Sequence, residues 1–146
     1  MTTASNQPES RIVRSRVPWL TDLTTVGASG VGALVVWLVV SVLGRVTPVV
    51  PIGDEPRPVT IWAVVGSALI GSLFGIVVLR LLERLTTRAV LTWTVMAGVF
   101  TFFSLIAPLG ATTAAGMGVL AVLHLVVAAI TIVGARRARK KFGEAS

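Results

Sequence analysis

The 146-residue sequence has no cysteine, no tyrosine, a single histidine and only six acidic residues. Lack of cysteine excludes a disulfide scaffold, a thiol redox centre and a cysteine-based zinc site. Charge is scarce as well: 13% of the chain is charged and 54% apolar, against roughly 25% and 45–50% in soluble domains. That balance excludes a soluble enzyme and points to lipid as the solvent. A phosphate-binding loop, a nucleophile with its base and a pair of facing carboxylates are all missing, so the reading is of a protein that is not an enzyme and needs no cofactor.

What the chain has instead is four long apolar runs, at about 26–43, 59–79, 89–106 and 114–133, none of which contains Asp, Glu, Lys or Arg. A helix needs about 20 residues to cross a 30 Å hydrocarbon layer. Backbone groups in lipid must be satisfied within the protein, and continuous runs without alternation do not build a barrel. The expected fold is all-α, a four-helix transmembrane bundle. Residues 1–17 read as a disordered cytoplasmic tail, 18–135 as the four-span membrane domain and 136–146 as a basic cytoplasmic tail. The first apolar run begins well inside the chain and is expected to act as an uncleaved anchor. Pro48, Pro51, Pro56 and Pro58 predict an extended connection between the first two spans, with Pro58 starting the second. Pro108 and Gly110 predict a short turn before the fourth, capped by Thr112 or Thr113.

Orientation follows from the Lys and Arg flanking the spans. Arg11, Arg14, Arg16, Arg80, Arg84, Arg88, Arg136, Arg137, Arg139, Lys140 and Lys141 fall on one side, while Arg45 and Arg57 fall on the other beside Asp54 and Glu55. Both termini are therefore expected in the cytoplasm. Trp19 and Trp93 are expected near the inner interface, Trp62 near the outer one, and Trp37 deeper. Arg136, Arg137, Arg139, Lys140 and Lys141 are expected to meet anionic lipid headgroups; nucleic acid is not an expected partner.

His124 is the one ionisable residue within a span, and such residues face a bundle interior or a water-filled path. At 100° per residue it shares a face with Met117, Ala121, Ala128 and Thr131, while Val119, Val122, Val126, Ile130 and Val133 are assigned to lipid. Depth matching brings Ser72, Thr94 and Thr101 towards it as hydroxyl partners, and a candidate polar site of His124, Ser72, Thr94 and Thr101 results. One histidine with Met96 and Met117 does not fill a metal's coordination shell, so no metal site is expected. Ser67, Gly71 and Gly75 form a small-residue series on the second span suited to close helix packing, and Gly27 to Gly32 with Ala33 form another on the first. Asp54 and Glu55 read as turn formers, and Glu83 is placed to pair with Arg80 one turn away.

Ser104-Leu105, Ala107-Pro108-Leu109, Ala111-Thr112-Thr113-Ala114 and the run His124-Leu125-Val126-Val127-Ala128-Ala129 with its basic end resemble a family of small four-helix membrane proteins of unknown function found in actinobacteria. The resemblance implies the same four-span layout and an actinobacterial plasma membrane, and it implies no activity. Two readings of function remain. One is a structural or partner-binding bundle, packed against itself or another membrane protein. The other is a small oligomeric transporter or channel with His124 lining the path.

Overall fold

The computed structural model describes residues 17–52 and 55–143. The expected N-terminal tail lies outside the described residues, and so does Asp54. The fold is all-α but for one hairpin. Helix α1 spans Trp19–Leu38 and continues as a π-helical turn, Val39–Leu43. Strands β1 (Val49–Ile52) and β2 (Glu55–Pro58) follow, then helices α2 (Ile61–Leu85) and α3 (Ala89–Ser104), a 3₁₀ turn at Ala107–Gly110, and α4 (Ala114–Gly143). Each of the four helical segments is long and apolar enough to cross a membrane. With four spans, the start of α1 and the end of α4 lie on one face, the terminal face. The hairpin lies on the other.

The proline-rich connection is a two-stranded antiparallel hairpin, with Val49 opposite Pro58 and Ile52 opposite Glu55, where a purely extended segment was expected. Proline cannot donate to a ladder and is tolerated in such edge strands. Backbone bonds seat the hairpin on its neighbours: Val59 N–H donates to Pro48 O at 2.9 Å and Thr112 N–H to Val49 O at 3.0 Å. Pro58 thus closes β2, and the cap of α2 is Thr60, whose hydroxyl accepts from Ala63 N–H at 3.3 Å. Of the two candidates for α4, Thr113 is the cap, accepting from Gly116 N–H at 3.1 Å.

Packing centres on α1, which lies along both α2 and α4. At Gly32 a side chain would run into Ile130 of α4, and a Cβ at Gly134 would come 2.6 Å from Thr25 Cγ2. The absent side chains let the two backbones approach, as the small-residue patch of the first span predicts. One apolar cluster, nearer the terminal face, is Val26, Ile76, Leu79, Trp93 and Ala135; the other is Ala33, Val64, Ala68 and Leu123.

Several expected placements are corrected. The buried stripe of α2 is Val64, Ala68, Ser72, Ile76 and Leu79. Ser67 and Gly71 are exposed, and a Cβ at Gly71 would meet nothing within 4 Å. Only Gly75 of the expected series lies near another helix. The small residues there flank the contact face by one position, a rotation of about 100° that composition does not resolve. On α4, Val126 and Ile130 pack at Gly32 of α1 rather than facing lipid, whereas Val122, Leu125 and Val133 are exposed. Trp93 is buried within the bundle, its indole N–H reaching Gly75 O at 2.8 Å. Residues 136–143 form no separate tail: they are the last turns of α4.

Candidate functional site

Polar side chains gather at two depths, and each gathering ties α1, α2 and α4 together. The deeper one is Ser29, Ser72 and Thr131. Their hydroxyls lie 3.0–3.2 Å from one another, and Ser29 and Thr131 also lie within hydrogen-bond distance of Thr25 O and Val127 O, one turn back on their own helices. All three residues are buried. In hydrocarbon an unmade hydroxyl bond has no water to replace it, so mutual satisfaction across three helices holds them in register.

The second lies at the terminal face and is ionic. Asp22, only 1% exposed, accepts from Arg80 Nε at 2.7 Å and from both terminal nitrogens of Arg139. Arg139 Nε donates to Glu83 at 2.8 Å, while Arg80 also donates to Val17 O at 2.9 Å and lies 3.9 Å above the Trp19 ring. Two carboxylates and two guanidinium groups cancel in charge. The bidentate geometry of arginine on a carboxylate makes burial of such a set tolerable. Local folding explains the convergence: Asp22 sits in the first turn of α1, Arg80 and Glu83 are one turn apart on α2, and the extra length of α4 carries Arg139 to them.

Glu83 therefore pairs with Arg139, not with Arg80 as spacing suggested, because Asp22 takes Arg80. Arg139 likewise leaves the expected headgroup set, its side chain being 8% exposed. Arg136, Arg137, Lys140 and Lys141 remain exposed on α4. Glu55 pairs with Arg57 at 3.6 Å in the open.

The expected polar site is not assembled as a unit. His124 is half-buried, and its Nδ1 lies 2.7 Å from Leu120 O on its own helix. A carbonyl only accepts, so Nδ1 is the donor of that bond. Thr94 and Thr101 donate to Val90 O and Ala97 O one turn back on α3. Ser72 bonds to Ser29 and Thr131 instead. Back-bonding within a helix satisfies a hydroxyl in lipid without any partner helix, which is why depth alone does not identify partners. Trp37 Nε1, in the last turn of α1, and Ser41 Oγ, in the π-helical turn, are buried with no hydrogen-bond partner among the described residues. Among those residues no group of three or more His, Cys, Asp or Glu side chains could hold a metal ion.

Ser29 and Asp22 are the functional residues that sequence reasoning missed as partners. Asp22 had a signal: it is the one carboxylate on the first helix, a turn before the apolar run, with arginines at the corresponding flanks of two other spans.

Four apolar helices held by polar groups turned on one another define a multi-pass helical membrane protein. The chain belongs to the family of unknown function DUF6069, whose model matches residues 13–141. Neither a curated protein nor a solved structure matches it.

Proposed function

We propose that this protein is a non-catalytic, structural or partner-binding bundle of the plasma membrane, with both termini in the cytoplasm and α3 as the surface that meets a neighbouring membrane helix or a second copy of the chain. The observation that carries this reading is the uneven use of polar groups. Ser29, Ser72, Thr131, Asp22, Arg80, Glu83 and Arg139 are engaged in joining α1, α2 and α4. Helix α3 has only Ala89 and Trp93 buried and holds out Val95, Val99, Phe100, Phe102 and Phe103. The loose seating of α3, rather than the size of its exposed side chains, supports packing against another helix, since lipid tails are as apolar as those side chains. The cytoplasmic orientation is supported by the excess of basic residues on the terminal face. The actinobacterial plasma membrane rests on the resemblance described above and on eleven arginines against two lysines.

Photo-crosslinking tests the reading. A benzoylphenylalanine at Phe102, in native membranes, is expected to give a discrete protein adduct, either a partner or a doubled chain. The same probe at exposed Leu125 of α4 is expected to give lipid adducts only. Lipid adducts at both positions would overturn it.

The transporter or channel reading keeps one observation in its favour, a half-buried imidazole within the span that bonds only to its own helix. It requires that His124→Ala abolish a proton or solute flux in reconstituted vesicles while the protein stays folded. On the structural reading no such flux exists, and the substitution lowers stability by less than about 1 kcal/mol, since its one hydrogen bond is to its own helix.

A further inference from the structure

The last turns of α4 carry buried and exposed residues on opposite faces. Ala135, Ala138 and the Arg139 side chain are turned into the bundle, and Arg136, Arg137, Lys140 and Lys141 are turned out. Because Arg139 is held by Asp22 and Glu83, this basic face is fixed to the body of the bundle.

Its depth can be read from α1. Gly134 packs at Thr25, and the two helices are antiparallel, so Arg136 and Arg137 stand level with Leu23 and Asp22, and Lys140 and Lys141 with Trp19 and Pro18. That interval lies just before the uncharged run of α1, and Trp19 within it is half exposed. An amphipathic ring at the edge of the apolar layer marks the headgroup region. In a membrane crossed by these helices the four cations would stand at headgroup depth. Among the described residues, the acidic side chains of the ionic cluster are engaged elsewhere, Asp22 with Arg80 and Arg139, and Glu83 with Arg139. Arg84 and Arg88, both exposed, add to the same charge at the α2–α3 turn.

We infer that the exposed face of α4 at Arg136, Arg137, Lys140 and Lys141 is a binding surface for phospholipids with anionic headgroups in the leaflet at the terminal face. Arginine forks the phosphate oxygens, lysine adds point charge, and the rigid helix presents both at phosphate depth. Arg139 takes no part, and its role is to hold the surface in place. The inference depends on the membrane-spanning fold alone, and not on which way the termini face or on any protein partner.

Native mass spectrometry of the full chain released from detergent micelles, with phosphatidylglycerol or phosphatidylcholine added, tests it. The wild type is expected to retain phosphatidylglycerol at least tenfold more strongly. The triple variant Arg136→Gln/Arg137→Gln/Lys141→Gln is expected to lose about a hundredfold in affinity, at about fivefold per basic residue, with an unchanged melting temperature in detergent. The control pair Arg45→Gln/Arg57→Gln, which removes two basic charges at the hairpin end, should leave retention as it was. Equal retention of both lipids, or full retention by the triple variant, would overturn the inference. So would displacement of the lipid by millimolar inorganic phosphate, or tighter binding of soluble polyglutamate, since these would make the surface a general anion or acidic-protein site.

Discussion

Helices α1, α2 and α4 differ from α3 in what joins them, although all four are long apolar segments. The first three share buried hydroxyls at one depth and a charge-balanced cluster at another, and α1 and α4 touch at glycines. Helix α3 is held in its first turns by Ala89 and by Trp93 bonding to Gly75 O, and its later hydroxyls bond back to its own carbonyls. Hydropathy decides that a segment enters the membrane. Small and polar residues at the right angular position decide what it packs against once there, because lipid tails offer no hydrophobic drive to association.

Substitutions can break or sharpen this contrast, and Asp22→Ala is expected to act most strongly. It leaves two buried guanidinium groups with an unbalanced charge, and a loss of about 3–5 kcal/mol is expected from such an unpaired group, measured by denaturant titration in mixed micelles. Gly32→Leu forces α1 away from Ile130 and is expected to lower stability by about 1–3 kcal/mol. Thr131→Val removes the hydroxyl that reaches both Ser29 and Ser72, at a loss of about 0.6–2 kcal/mol. On the other side of the comparison, Phe102→Ala on α3 and Gly71→Leu on the outer face of α2 are expected to stay within about 0.5 kcal/mol. If Phe102→Ala cost as much as Thr131→Val in the isolated protein, α3 would belong to the core and the contrast would fail.

The four spans are legible in the sequence because uncharged runs of this length have no other stable solution in lipid, and one of the two cap candidates for α4, Thr113, follows ordinary hydroxyl chemistry, whereas α2 starts after Thr60 rather than at Pro58. Partner choice is not legible. Depth matching groups His124, Ser72, Thr94 and Thr101, but Thr94 and Thr101 stand about 10 Å apart along α3, each satisfied at the carbonyl one turn back, and Ser72 is level with Thr131 and Ser29 rather than with His124. Arg139 reads as one more surface cation among five. Its burial depends on α4 continuing past the apolar run and on Asp22 arriving opposite it, a three-helix coincidence that no local pattern records. For the same reason Ser67 and Gly71, attractive as a packing motif, lie outside the contact by a single position.

The pairing of Asp22 with Arg139 spans 117 residues, and that separation sets a timetable for biosynthesis. At roughly 5–20 residues per second, the carboxylate leaves the ribosome about 6–23 s ahead of its second guanidinium. Through that interval Asp22 has Arg80 as its one partner at best and Glu83 lacks the arginine it pairs with. Closure of the bundle thus waits for the final turns of α4, and a nascent chain halted before residue 139 would present an incomplete, chargeable seam to the quality-control machinery of its membrane.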